Sequence, residues 1–282
     1  MRQICCAAIL IATLSVPVMG QVDDARLPGG VRPGSAPSVF ATGLVSSGAQ
    51  EYGLTVTEDW SEIYFTRLTG EESVIMVTRR SGNTWSPAEP APFSGEHDDS
   101  HPWLAPDGDR LTFMSRRPRP GLYQALNTWF VERTSAGWTD PASLGSPVSD
   151  QTVHAPSVSA NGTIYATGLT RLRRVDGAYL PVERLTPDIK GKQPTVAPDE
   201  SFIVFSARRE GGRGNDLYVV FRNPDGSWAG PVGLGDAVNT SVNESSPTLS
   251  ADGRFLFFSR NEDIWWVDAA VIEAVRPDDL KE

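Results

Sequence analysis

The sequence predicts an all-β chain folded as a five-bladed β-propeller, with six blades as the alternative. Three observations predict it: a segment motif that recurs five times, a spacing between copies close to the length of a four-stranded sheet, and a leading apolar strand with no local partner.

The recurring motif joins small residues, an Asp or Asn turn and an apolar strand. Its copies are TVTEDWSEIYFTR from Thr55, WLAPDGDRLTFMSRR from Trp103, SVSANGTIYATG from Ser157, TVAPDESFIVFSARR from Thr195 and TLSADGRFLFFSR from Thr248. The turn residues Asp59, Asp107, Asn161, Asp199 and Asp252 are separated by 48, 54, 38 and 53 positions. After each turn apolar residues alternate with polar ones, as in Leu111/Phe113, Ile203/Phe205 and Phe255/Phe257, the period of a half-buried strand. Glycine follows Asp107, Asn161 and Asp252, and such pairs make hairpin turns because glycine accepts positive φ while the Asx side chain bonds nearby backbone.

A third strand follows each hairpin in SVIMVTRR, NTWFVERT, RLRRVD, DLYVVFRN and DIWWVDA, rich in β-branched and aromatic residues. In four repeats Trp85, Trp138, Tyr179 and Trp228 then precede Pro87, Pro141, Pro181 and Pro231. Proline suits an outer strand, whose far edge is unpaired. The fifth repeat lacks this element. PSVFATGL, from Pro37 to Leu44, supplies the missing outer strand of the last blade and closes the ring, which removes an open seam.

Residues 1–20 read as a cleaved signal peptide, with Arg2, an apolar stretch from Ile4 to Val18, and small residues at Val18 and Gly20. Residues 21–36 read as a linker, its Pro-rich part from Leu27 extended and without a core of its own; residues 37–282 form one propeller domain. Pro17 interrupts a run shorter than the roughly 20 residues that span a bilayer, so no membrane span is expected. Both cysteines, Cys5 and Cys6, lie in the signal, so stability rests on a buried core rather than disulfides. The net charge of −10 disfavours nucleic acid and anionic membrane as partners. A periplasmic or secreted monomer is the expectation.

The strings APDGDRLTFMSRR, APDESFIVFSARR and SADGRFLFFSR resemble the PD-type, WD40-like (PD40) blades of the TolB propeller and of many exported bacterial proteins. The resemblance covers nearly the whole chain after the signal. It implies a periplasmic or surface module that binds or scaffolds, and it specifies the fold rather than an activity.

Propeller geometry places the starts of the inner strands at one channel mouth. Those starts carry Glu51, Asp99, His101, His154, Gln193 and Glu244, with Trp103 beside His101. The second strands return to the same face with Arg67, Arg116, Arg208 and Arg260. Arginine presents a planar fork of donors, so this mouth could clamp a polar or anionic ligand, a glycan or a cell-envelope component, or meet an envelope protein. The competing reading pairs the acids and arginines between neighbouring blades. A carbohydrate-active hydrolase or lyase is the enzyme alternative, with Glu51, Asp99 and Glu244 as its acids. His101 and His154 begin adjacent blades, yet no HxH or HExxH spacing marks a metal site, and no nucleophile motif is present. The sequence therefore assigns no catalytic residue, no metal and no cofactor. The repeated tryptophans read as blade packing.

Overall fold

The computed structural model describes residues 23–118, 126–146, 148, 153–186 and 189–281. The signal-peptide reading falls outside them. They form a ring of five small antiparallel sheets, so the five-bladed arrangement holds and the six-bladed alternative does not.

The first blade runs outward through Glu51–Val56, Glu62–Thr69 and Glu72–Ser81 to the short edge pieces Thr84–Trp85 and Glu89–Pro90. The second runs through Asp99–Leu104, Arg110–Ser115 and Asn127–Thr134 to Gly137–Trp138 and Ala142–Ser143. The third is the thinnest, with Ser157–Val158, Ile164–Ala166, Thr170–Leu172 and Glu183–Arg184, and a side hairpin of Arg174–Val175 and Ala178–Tyr179. The fourth comprises Lys192–Val196, Phe202–Arg208, Asn215–Arg222 and Trp228–Gly233. The fifth comprises Glu244–Leu249, Phe255–Arg260 and Asp263–Asp268, completed by Ser38–Val39 from the start of the chain.

Each first hairpin is shaped by its Asx residue. The side-chain Oδ1 of Asp59, Asp107, Asn161, Asp199 and Asp252 accepts the backbone N–H two residues on, at 2.9–3.1 Å. One device repeated five times explains why the turn motif survives while loop lengths vary.

The ring closes where expected: Ser38 pairs with Trp266 and Val39 with Trp265, antiparallel. Phe40 follows into the seam between the fifth and first blades, its ring centroid 5.0 Å from Phe257 and 4.9 Å from Trp266. Trp60, Phe65 and Phe255 belong to the same buried cluster. The stretch expected to be an extended linker differs here. Asp24–Arg26 and Pro28–Gly30 form tight 3-10 turns, and Leu27 between them is buried in that cluster. The reason is apolar burial: Leu27 finds an aromatic wall that exists only once both ends of the ring have met.

The repeated outer-strand tryptophans pack on the preceding blade. Trp138 Nε1 donates to the Tyr64 hydroxyl at 3.0 Å, and Trp228 meets the Tyr165 ring edge-on at 6.5 Å. Arg133, stacked 4.3 Å over Trp138, reaches Glu62 of the first blade at 2.6 Å. Inner strands are tied in the same sense: Thr55, Ser157 and Thr195 hydroxyls accept the N–H of Leu104, Val196 and Leu249 at 3.1–3.3 Å.

Candidate functional site

The site grows from a left-handed residue repeated at or just before the start of every inner strand. Gly53, His101, Ala155, Gln193 and Ser246 occupy equivalent positions, and all five have left-handed backbone with φ between 46° and 55°. In four blades the pairing register shifts across this residue. Proline follows it at Pro102, Pro156, Pro194 and Pro247. A bulge re-aims its residue out of the sheet, and the five equivalent residues converge around the channel. The first blade carries glycine because a Cβ at Gly53 would lie 3.1 Å from the His101 Cα.

His101 and Gln193, on the second and fourth blades, meet across the axis. The His101 Nε2 lies 3.0 Å from Gln193 Nε2 and 3.4 Å from the Ser246 hydroxyl. The hydrogen-bond pattern identifies the tautomer. Gln193 Oε1 accepts from the backbone N–H of Ser246 at 3.1 Å and from the Ser206 hydroxyl at 3.1 Å, so its amide nitrogen is the group that donates to His101. Nε2 is then a bare acceptor, and the imidazole proton sits on Nδ1, 3.2 Å from the Ser100 hydroxyl. Burial, reinforced by neighbouring His154, lowers the His101 pKa to about 4. The imidazole is neutral at physiological pH.

This contact divides the channel. Toward the starts of the inner strands it opens into a vestibule of about 540 Å³, lined by Tyr52, His101, Gln193, Ser245, Ser246 and neighbouring polar groups. On the other side is a throat of only about 30 Å³ walled by Trp103 and the four prolines. Trp103 thus lies on the throat side, and only His101, Gln193, Glu51 and Arg260 of the sequence-selected residues line the vestibule.

The acids and arginines form a structural module that recurs three times. Glu51, Asp99 and Glu244 are all fully buried. Glu51 accepts from Arg67 Nε at 2.8 Å and the Ser47 hydroxyl at 2.6 Å. Asp99 accepts from Arg117 Nη1 at 2.5 Å and the Ser94 hydroxyl at 2.9 Å. Glu244 accepts from Arg260 Nε at 3.0 Å and the Thr240 hydroxyl at 2.6 Å. In every case the arginine also donates to a carbonyl six residues before the acid, that of Val45, Phe93 or Val238. Carboxylate, hydroxyl and guanidinium together clip the incoming loop onto its own blade. The pairing is within blades at this level; a link between blades is the 3.6 Å approach of Arg209 Nη2 to Glu244 Oε2. Burial pushes the Asp99 carboxyl up despite its donors.

Two arginines named from the sequence stand one position from the ones engaged. Arg116 pairs instead with Asp98 at 3.0 Å and is more than half exposed, while Arg117 holds Asp99. Arg208 is exposed opposite Asn215, while Arg209 binds Asp216 and the Val242 carbonyl. Strand pairing decides this: Arg67 and Arg260 lie directly opposite Glu51 and Glu244, but Ser115 occupies that place opposite Asp99. His154 is half-buried, with its carbonyl bonded to Thr167, and burial and then nearby Arg116 lower its imidazole pKa. Among the described residues no group of three or more His, Cys, Asp and Glu is placed to hold a metal ion. The sequence reading missed Ser246, Tyr52, and the loop partners Ser47, Ser94 and Thr240. The last had a signal, a buried apolar residue six positions before each acid with a hydroxyl one or two positions after it.

The fold and site thus define a five-bladed propeller stoppered at its ring of bulges and open on one side into a polar vestibule. Among solved structures the chain is similar to an endo-arabinase from Bacteroides thetaiotaomicron, with 14% identity, a TM-score of 0.53, and 80% of this chain and 95% of that one covered. It is also similar to the catalytic domain of a GH62 α-L-arabinofuranosidase from Coprinopsis cinerea, with 10% identity, a TM-score of 0.53, and 79% and 93% covered. TolB from Acinetobacter baumannii aligns at 13% identity and a TM-score of 0.49 over 78% of this chain and 54% of that one, so the chain spans about half the length of that TolB. At these identities the likeness is one of fold alone. No protein-family model and no curated protein matches the chain. No helix among the described residues is long and apolar enough to cross a membrane.

Proposed function

We propose that the protein is an exported binding module that takes a polar ligand, a glycan or another cell-envelope component, into the vestibule at the channel mouth. One observation carries the reading: a cavity of about 540 Å³ floored by His101, Gln193 and Ser246, within the size range of small-molecule sites, on a scaffold that fixes those groups by hydrogen bonds. The clips speak against hydrolysis. A glycosidase needs two carboxylates facing the bond to be broken, whereas Glu51, Asp99 and Glu244 are sealed from solvent and bound to arginine.

The test is a binding screen of glycans and cell-envelope fragments, run on the wild type and on Ser245→Trp, which fills the vestibule. Binding lost in the variant supports the reading. Binding unchanged in Ser245→Trp, or product release from any glycan probe, overturns it.

A further inference from the structure

Arginines at a channel mouth suggest an anion clamp, yet the vestibule is built in the opposite sense. Arg260, the guanidinium that lines it, is committed: Nε donates to Glu244, Nη2 to the Val238 carbonyl, and its face lies 4.6 Å from the Trp265 ring and 5.0 Å from that of Phe258. Arg67 is likewise held by Glu51 and the Val45 carbonyl. Of the described residues that line the cavity, Glu262 at the exposed rim is the one charged side chain outside an ion pair, and it is negative. The chain as a whole carries a net charge of −10, so the surrounding field repels anions before contact.

The rest of the lining is neutral and polar. The His101 imidazole is buried and neutral, and Gln193 faces its Nε2 with an N–H, an arrangement that leaves no place for a second proton there. The Tyr52 ring lies 5.0 Å from the imidazole and gives an aromatic wall. Ser245, Ser246 and Ser259 add further neutral, hydroxyl-bearing residues to the lining.

We infer that the vestibule selects a neutral, hydroxyl-rich ligand and rejects carboxylated or phosphorylated ones. This rests on the binding reading above and gives it a ligand class. An aromatic wall with neutral donors and acceptors matches a sugar ring, which has apolar faces and a hydroxyl edge. An anion entering the vestibule would lose water and gain no free cation in exchange.

The experiment is a glycan array carrying neutral oligosaccharides beside uronate, sialylated and phosphorylated ones, probed with wild type, Ser245→Trp and the rim variant Glu262→Lys. The expected result is that wild-type hits are neutral glycans, at least tenfold tighter than acidic counterparts of equal length, and are lost in Ser245→Trp. Glu262→Lys, an exposed change that leaves the core intact, should narrow that gap at least threefold. Acidic hits as tight as neutral ones, abolished in Ser245→Trp, overturn this inference and leave the vestibule reading standing. Hits that ignore Ser245→Trp, or no hits of either kind, overturn both.

Discussion

Gln193 reaches across the channel axis to His101, amide nitrogen to imidazole nitrogen at 3.0 Å, and the same amide's oxygen holds the backbone N–H of Ser246. Three blades are therefore locked to one another by a single side chain, at the level where the bulges converge. The lock is neutral and works only with His101 unprotonated.

That requirement makes stability depend on pH with a defined sign. The folded pKa of His101, about 4, lies below its ordinary 6.5. The unfolded chain thus binds the proton more readily, and stability is full above pH 6.5 and falls as the pH drops toward 4. The loss reaches about 3 kcal/mol at most, because each tenfold difference in proton affinity between the folded and unfolded chain is worth about 1.4 kcal/mol. His101→Asn, which tolerates the left-handed backbone, should lose this dependence. Denaturant midpoints of both proteins between pH 7 and pH 4 check it; parallel curves would refute it.

Substituting Gln193 separates shape from hydrogen bonding. Gln193→Leu strands the backbone N–H of Ser246, while the Ser206 hydroxyl keeps the Lys192 carbonyl at 3.2 Å, and should cost about 1–3 kcal/mol. Gln193→Glu keeps the acceptor and places a carboxylate beside Nε2, so the His101 pKa should rise well above 4. Imidazole NMR signals followed through a pH titration read the second effect, and urea unfolding reads the first.

The clips should behave as buried ion pairs. Arg117→Met leaves Asp99 enclosed without its cation and should cost about 3–5 kcal/mol at pH 7. Because the stranded carboxyl then takes up a proton, the deficit should shrink on acidification. The double variant Asp99→Asn with Arg117→Met should regain much of the stability. Equilibrium unfolding at pH 7 and pH 5 tests all three statements.

Ring closure depends on Phe40, fully buried between Phe257 and Trp266. Phe40→Ala should cost about 3–5 kcal/mol, the range for emptying an aromatic site in a core. Hydrogen exchange should show the loss first along Ser38–Val39 and Asp263–Asp268, the two strands of the seam. Uniform acceleration across all five blades would instead mean that the ring opens as one unit.

The fold was legible in the sequence because its determinants are local and repeated. The Asx residue at Asp59 and its four equivalents, the alternation after each turn, and the unpartnered PSVFATGL strand are visible in order along the chain, and each specifies a backbone path by itself. The mouth was legible only in part. Inner-strand position placed Glu51, Asp99, Glu244, His101 and Gln193 near one opening, but whether a charge there faces a ligand or a neighbour depends on register. A step from Arg116 to Arg117 changes the partner from the partly exposed Asp98 to the buried Asp99, and a step from Arg208 to Arg209 changes an exposed guanidinium into one that holds Asp216.

The sequence by itself determined a propeller, five repeated hairpin turns and the strand that closes the ring, since hydrogen-bonded hairpins and apolar periodicity act over a few residues. The structure decided for five blades over six. Tertiary structure alone decided that the acids are sealed in arginine clips, that Leu27 belongs to the core, and that His101 meets Gln193 across the axis. Those outcomes rest on contacts between residues far apart along the chain, 92 positions for His101 with Gln193 and 145 for His101 with Ser246. The energy of such contacts is set by burial and by the pairing of each donor with its acceptor, which no linear pattern records.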